Sequence, residues 1–349
     1  VELFLDKTAT RARLVIARIL GGSGYWPYGL EQFQIRLAEA GVLLCALPGD
    51  DKPDPELLAA STVSEADWHA LWAYAVEGGA QNMAGLLRHG ASLLGKCQAP
   101  PPARPLLRAG YYWPGAGVAD RETVEAAWRP GQPVAALVFY RALVEGAGLH
   151  PVNRMVKALA REGLNPLPLF VASLKDPVSA ATVEAAFAAH PPAVVLNATA
   201  FAVASPAAEM GMRPATVLDA PGAPVLQVVF SASAEDGWKD STRGLSPRDI
   251  AMNVALPEVD GRVLTRAVSF KSEAYWDAAT ECTIPSYRAE GGRVAYTAAV
   301  AARWAGLAGK STADRRVALI LANYPNKDGR LANGVGLDTP ASAIEILNA

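Results

Sequence analysis

Few residues in this sequence are of the kinds that usually mark a metal, redox or nucleotide site. Its 349 residues include three cysteines, Cys45, Cys97 and Cys282, odd in number and far apart. With no CxxC pair, a zinc ribbon and a thioredoxin motif are excluded, and reduced, mostly buried thiols in the cytosol are expected. His69 and His89 have no partner at ligand spacing, so each reads as a packed or surface residue. Charge of one sign is also scarce. A net charge of -2 and a pI of about 6.2 argue against a nucleic-acid binder or a polybasic membrane surface. No apolar run is long enough to span a bilayer, and no stretch reads as a signal peptide. A cytoplasmic protein is expected. The sequon Asn197-Ala198-Thr199 carries no meaning without secretion.

What is present is a packed globular composition, 51% hydrophobic and 19% charged, with length for two or three domains. The chain starts at Val1, reads as strand through Leu3 and Leu5, and ends just inside a helix beginning at Thr339. Both ends predict a segment of a larger protein.

Ser246 to Phe270 is the most informative stretch. Ser246 is a good N-cap, Pro247 suits the first helical position, and Asp249 faces the helix dipole. Ile250, Ala251, Val254 and Ala255 form an apolar stripe. Pro257 disfavours helix at Leu256, so the helix is predicted to end there. Glu258 and Asp260 then fall in an extended exit turn before Gly261, pointing the same way. This pair is the best candidate for chemistry in the chain. The alternative is structural: Asp260 orders the turn while Glu258 pairs with Arg262 or Arg266.

The rest of the chain alternates strand and helix. Arg13–Leu20, a helix over Gly29–Ala40 and Val42–Leu47 make one βαβ unit. Between them, Gly21, Gly22 and Gly24 precede Tyr25 and Trp26. This turn either holds an anion or a flat organic ligand, or simply turns and packs; it does not match GxGxxG. Ser64 to His89 reads as helical. Gln98–Pro105, with four prolines in eight residues, reads as a linker. Beyond it, strands at Pro133–Val138, Asn165–Val171, Ala193–Leu196 and Pro224–Phe230 alternate with helices at Pro151–Arg161 and Val178–Ala189. That rhythm predicts an α/β fold of repeated Rossmann-like βαβ units with mostly parallel sheets, in a multidomain fragment, with ligands at the strand C-terminal ends. Those ends carry Phe139-Tyr140-Arg141, Ser173-Leu174-Lys175-Asp176 and Asn197-Ala198-Thr199. Arg141 and Lys175 either bind ligand carboxylates or are ordinary solvated charges. The predicted organisation is an N-terminal α/β domain over 1–97, a Pro-rich linker over 98–107, a doubly wound domain over 108–240 and the start of a catalytic region over 241–349.

Gly306 to Ser311, GLAGKS, resembles the end of a phosphate loop, but the first glycine of that motif is replaced by Trp304, and a helix precedes it. Arg316–Ala322 reads as a buried strand. It runs into a long glycine-rich loop from Asn323 to Asp338, which either clamps a ligand or acts as a hinge.

Several stretches carry a family resemblance: ILGGSGYWPYGLEQF (19–33), GLNPLPLFVASLKDP (163–177), GLSPRDIAMNVALPEVDGR (244–262) and RVALILANYPNKDGRLANGVGLDTPAS (316–342). Together they resemble the CobN/magnesium-chelatase large-subunit family, the large subunits of class I tetrapyrrole chelatases, with wording closer to the cobalt branch. The resemblance implies an enzyme subunit much longer than this chain that binds a tetrapyrrole. In the cobalt branch the substrates are hydrogenobyrinic acid a,c-diamide and cobalt; in the magnesium branch, protoporphyrin IX takes Mg2+. It implies an AAA+ motor subunit and a companion, of the CobS and CobT type, with ATP and Mg2+ bound there and not on this chain. A non-catalytic tetrapyrrole-binding module is the competing class. Given the resemblance, Glu258 and Asp260 are the catalytic candidates, with Glu258 also a transient metal contact. Tyr25, Trp26, Arg141, Asn153, Lys175, Asn323, Tyr324 and Lys327 are the substrate-binding candidates.

Overall fold

A computed structural model describes residues 1–146, 148–204, 215–321 and 336–348, and at 273–275 the backbone alone. Contacts divide the chain into two units, 1–305 and 306–349.

The first apolar runs pair as parallel strands β1 (Leu14–Ile19) and β2 (Leu43–Pro48), a two-stranded sheet joined through the helix Pro27–Glu39. Trp68, on the helix Glu65–Glu77, is almost fully buried and donates from Nε1 to the Ala46 carbonyl at 2.6 Å. Cys45 lies in this core, where burial pushes its thiol up to about 12. Before β1, residues expected as strand form the helix Glu2–Lys7. Acid in its first turn and base in its last both suit the helix dipole, and Leu5 is buried beside Phe33 and Leu37. Three alternating residues were too short a run to set the period.

The Pro-rich stretch is strapped down by side chains. The Tyr74 hydroxyl donates to the Pro101 carbonyl. Asn82 exchanges two hydrogen bonds with the Arg104 backbone, at 2.8 and 2.9 Å, and the Leu106 N–H donates to Glu77 at 2.8 Å. Proline has no N–H for a ladder, so neighbouring side chains supply the contacts.

From residue 109 the chain builds one eight-stranded sheet. Its strands are β3 (Ala109–Trp113), β4 (Gly117–Ala119), β5 (Val134–Tyr140), β6 (Asn165–Val171), β7 (Val194–Asn197), β8 (Val225–Ser231), β9 (Val263–Asp277) and β10 (Cys282–Ala289). The spatial order is β10-β9-β8-β7-β5-β6-β3-β4. The stretch β9-β8-β7-β5-β6 is parallel, and β10, β3 and β4 add antiparallel flanks. The chain therefore leaves β5 for β6 on one side, then crosses back to β7 on the other. Counted along the chain, the parallel strands lie in the order 2-1-3-4-5, a doubly wound arrangement.

Residues alternate between the two faces of the sheet. Leu137 and Phe139 join the helix His150–Arg161 and residues Val294, Ala298 and Ala301 of the helix Gly291–Ala308. Ala136, Val138 and Leu169 join the helix Pro177–Ala189 through Val183 and Phe187. The two crossover helices thus cover opposite faces. Each fully buried Leu, Val or Phe contributes about 1.5–3 kcal/mol of transfer free energy. Among the described residues, no helix is long and apolar enough to cross a membrane.

Residues 273–289 form the outer part of the β9–β10 hairpin, with its turn at 278–281. Two further expectations change. The helix at Pro247 continues to Val259, as described below. Arg316–Leu321 has no regular structure, with Val317 85% and Ile320 88% exposed. An apolar run becomes a strand only where a neighbour accepts its backbone bonds.

Gly29 generates a stability prediction. A Cβ there would lie 1.8 Å from Trp26 Cε2, and Trp26 packs edge-on against Phe33 at 5.4 Å. Gly29→Ala should lower stability by about 1–3 kcal/mol through overpacking. In a Trp26→Ala background the same change should become neutral or favourable, because Ala is the better helix former. Urea unfolding of the four variants measures this coupling.

Candidate functional site

In an open doubly wound sheet, a crevice forms where neighbouring crossovers diverge, outside the C-terminal ends of the strands. Here that point lies at β5 and β7. A cavity of about 160 Å³ sits at the ends of β5, β6 and β7, lined by residues including Tyr140, Ser173, Lys175, Thr199 and Phe201. All three strand ends singled out from the sequence contribute to it.

Below the cavity, a buried polar network sets the end of β7. Asn197 Nδ2 donates to Gln227 Oε1 (2.8 Å) and to the Thr199 carbonyl (3.0 Å). Thr199 Oγ1 donates to Asn197 Oδ1 (2.9 Å), and Gln227 Nε2 to the Thr199 carbonyl (2.9 Å). All three side chains are at most 1% exposed. The sequon asparagine is therefore an internal strut. The Tyr140 hydroxyl donates to the Ala200 carbonyl and accepts from the Ala200 N–H; burial raises its pKa.

The segment with the two acids lies against these strand ends. Pro247–Ile250 is α-helical, Ala251–Ala255 is a π-helical turn and Leu256–Val259 is α-helical again. The Leu256 N–H reaches the Ala251 carbonyl, five residues back. In that register the next donor would be residue 257 and its acceptor Met252. Proline has no N–H, so the Met252 carbonyl is left available and takes the Phe201 N–H at 2.8 Å. Pro257 thus does not stop the helix; it frees an acceptor for the crevice loop. The helix ends one turn later, with Gly261 at φ +68.

Asp260 and Arg262 make the second brace. Asp260 accepts the N–H groups of Val203 (2.8 Å) and Ala204 (3.0 Å) and pairs with Arg262 Nη2 at 2.5 Å. Arg262 Nη1 donates to the Phe201 carbonyl at 3.4 Å. Both charged groups are at most 1% exposed. Burial draws the Arg262 pKa down, while Asp260 opposes that shift. At the other end of the helix, Asp249 accepts from the hydroxyls of Ser231 (2.8 Å), Ser233 (2.9 Å) and Ser246 (3.1 Å), from the Ala232 N–H (3.2 Å) and from Asn253 (3.2 Å). Burial raises its pKa, but these donors outweigh burial and hold it below the usual aspartate value. The sequence places Asp249 in the first turn of this helix, but Ser231 and Ser233, 18 and 16 positions away, are brought to it by the fold.

The two catalytic candidates therefore do not share a side. Glu258 is exposed on the helix and has no ion-pair partner among the described residues, whereas Asp260 is internal. The substrate-binding candidates scatter. Lys175 is exposed at the crevice. Arg141 follows β5 but is held by Glu145 (3.1 Å), Glu77 (3.5 Å) and the Leu106 carbonyl (3.2 Å). Asn153 accepts from the Tyr112 hydroxyl at 2.7 Å and does not line the cavity. Tyr25 is 78% exposed, and Trp26 packs inward. In the glycine turn beside them, the Ser23 N–H is given to the Asp54 carboxylate at 2.9 Å, so an acid occupies the place expected for an anion. Asn323, Tyr324 and Lys327 lie outside the described residues. Among the described residues, no group of three or more His, Cys, Asp or Glu side chains could hold a metal. Phe201 was not foreseen. It has φ +66 and is 47% exposed, and nothing in a sequence marks a phenylalanine for the left-handed region.

Fold and site together define a doubly wound α/β protein with a crevice at its topological switch point. Residues 72–349 match the family described as CobN/Magnesium Chelatase, and the chain belongs to that family. It is 46% identical to the aerobic cobaltochelatase subunit CobN of Sinorhizobium sp over 359 residues, and 42% identical to that of Pseudomonas aeruginosa over 350 residues. Each alignment covers 100% of this chain and 28% of the relative. The fold is similar to the catalytic subunit of cobaltochelatase from Mycobacterium tuberculosis, with a TM-score of 0.71 and 28% identity, over 99% of this chain and 28% of that one. The chain thus spans just over a quarter of the relatives' length.

Asp260→Asn should cost about 3–5 kcal/mol, because Arg262 stays buried without its counter-charge. Replacing Asp260 and Arg262 together by apolar residues should recover part of that loss in denaturant unfolding. Asp249 predicts a pH dependence. Its folded pKa is depressed, so its contribution is complete above the ordinary aspartate value of about 4 and is lost as pH falls through the lower folded value. Stability measured across the acid range should fall there, and Asp249→Asn should flatten that limb.

Proposed function

We propose that this chain is a segment of the tetrapyrrole-binding catalytic subunit of an ATP-dependent cobaltochelatase, which inserts Co2+ into hydrogenobyrinic acid a,c-diamide in aerobic cobalamin biosynthesis. The observation that carries this reading is the end-to-end similarity to two CobN subunits at 46% and 42% identity. Cobalt is preferred over magnesium because both of those relatives are named for cobalt. ATP hydrolysis is assigned to an AAA+ motor and its companion, of the CobS and CobT type. The segment GLAGKS supports this, since it has Trp304 in place of the first glycine of a phosphate loop and its first three residues belong to the helix Gly291–Ala308. Only Cys45 is buried, while Cys97 and Cys282 are exposed, contrary to the expectation of mostly buried thiols; that all three are free supports a cytoplasmic setting.

Metal insertion requires ring nitrogens to lose protons as the cation enters. A carboxylate beside the macrocycle accepts a proton or passes on a divalent ion. The two acids divide on this point. Both Asp260 oxygens already accept N–H donors in the interior, which supports a supporting role. Glu258 stands exposed in the last turn of the helix that Asp260 follows and is the acid we assign to proton or metal transfer.

In the complete enzyme with its partner subunits, Glu258→Gln should keep tetrapyrrole binding and lose most cobalt insertion. Absorbance of the macrocycle follows both steps. Insertion at the wild-type rate would remove Glu258 from the mechanism, and faster insertion of magnesium than cobalt by the wild-type enzyme would overturn the cobalt assignment.

A further inference from the structure

The crevice at β5, β6 and β7 is too small for a macrocycle. At about 160 Å³ it matches a short side arm. Its lining joins one exposed cation, Lys175, to an apolar wall that includes Leu174, Phe201, Ala202 and Val203. Lys175 has no ion-pair partner among the described residues, unlike Arg141, which holds two carboxylates. The wall is held in an unusual conformation. Phe201 has φ +66, where a side chain is disfavoured, and the residue is 47% exposed. Its N–H is held by the Met252 carbonyl and its own carbonyl by Arg262, while Asp260 fixes Val203 and Ala204 just beyond. A non-glycine residue keeps such a conformation when the surrounding structure over-determines it, and such residues cluster at ligand sites. The Tyr140 hydroxyl is committed to Ala200 on both its donor and acceptor sides, so it shapes the floor and leaves Lys175 as the charged contact.

We propose that this crevice receives one carboxylate-bearing side arm of the tetrapyrrole, with Lys175 as its counter-ion and the Phe201 ring as the apolar surface beside it. The proposal rests on the reading above that the complete subunit binds a tetrapyrrole acid. A carboxylate arm is chosen because a lone ammonium at the mouth of an apolar cleft makes a charge-assisted hydrogen bond to an anion, while the walls exclude water from its methylene groups.

The test uses the full-length subunit, titrated with hydrogenobyrinic acid a,c-diamide by absorbance and by tryptophan fluorescence, at low and high salt. Lys175→Met should weaken binding about tenfold or more and reduce its salt dependence, while Lys175→Arg should stay within a few-fold of wild type. Phe201→Gly separates the site from the scaffold. Glycine suits the positive φ, so its unfolding midpoint should hold or rise while affinity falls about tenfold. Wild-type affinity in both Lys175→Met and Phe201→Gly would overturn the crevice proposal and leave the tetrapyrrole reading standing. No saturable binding by the wild-type subunit would overturn both.

Discussion

The crevice depends on one buried ion pair. Asp260 and Arg262, two residues apart, are withdrawn from water together. Desolvation of that size is offset where hydrogen bonds use much of the remaining capacity of the two groups. Here that capacity goes largely to the loop after β7: two N–H groups go to Asp260, and the Phe201 carbonyl accepts from Arg262 Nη1, while Arg262 Nε is buried without a hydrogen bond. The pair can form because Gly261 between them takes φ +68 and turns the chain back. Without that turn, neither charged group would reach the loop, and the left-handed Phe201 would have no restraint from this side.

The same helix shows how one irregularity serves packing and site together. A π-helical turn leaves one carbonyl without its usual donor, and Pro257 ensures that no helical N–H can take it. The Phe201 N–H fills the gap. Asp249 at the start of the helix and Asp260 just past its end hold the loops after β8 and β7 respectively. A short helix is thus fixed across the C-terminal edge of the sheet by internal carboxylates, leaving Glu258 facing outward. For the proposed chelatase, that is a rigid frame presenting one free acid, suited to a metal that passes through as a substrate.

Much of the sheet was legible from the residues. Asn165–Val171 is apolar on both faces, as a central parallel strand must be, and it forms β6 with those bounds. Alternation with helices of 12 or 13 residues identified the doubly wound class, and the strand ends at Tyr140, Lys175 and Asn197 marked the side where the crevice lies. Sequence and structure part where a local rule competes with a distant partner. Pro257 reads as a helix stop because its lost hydrogen bond is visible in sequence and the π-turn is not. Glu258 and Asp260 share a side only in extended backbone; a helical residue and a C-terminal turn residue diverge. Arg141 reads as available for a ligand because Glu77, 64 positions away, cannot be seen beside it in sequence.

By itself, the sequence determined the period of the longer central segments, their order and the resemblance to a chelatase family, because these are carried by neighbouring residues and long local motifs. Tertiary structure decided which charges are struts and which face outward. That depends on burial and on partners such as Val203 and Asp260, 57 positions apart. A carboxylate has the same composition in either role. Only the N–H groups brought against it distinguish Asp260, locked inside the protein, from Glu258, left at its surface.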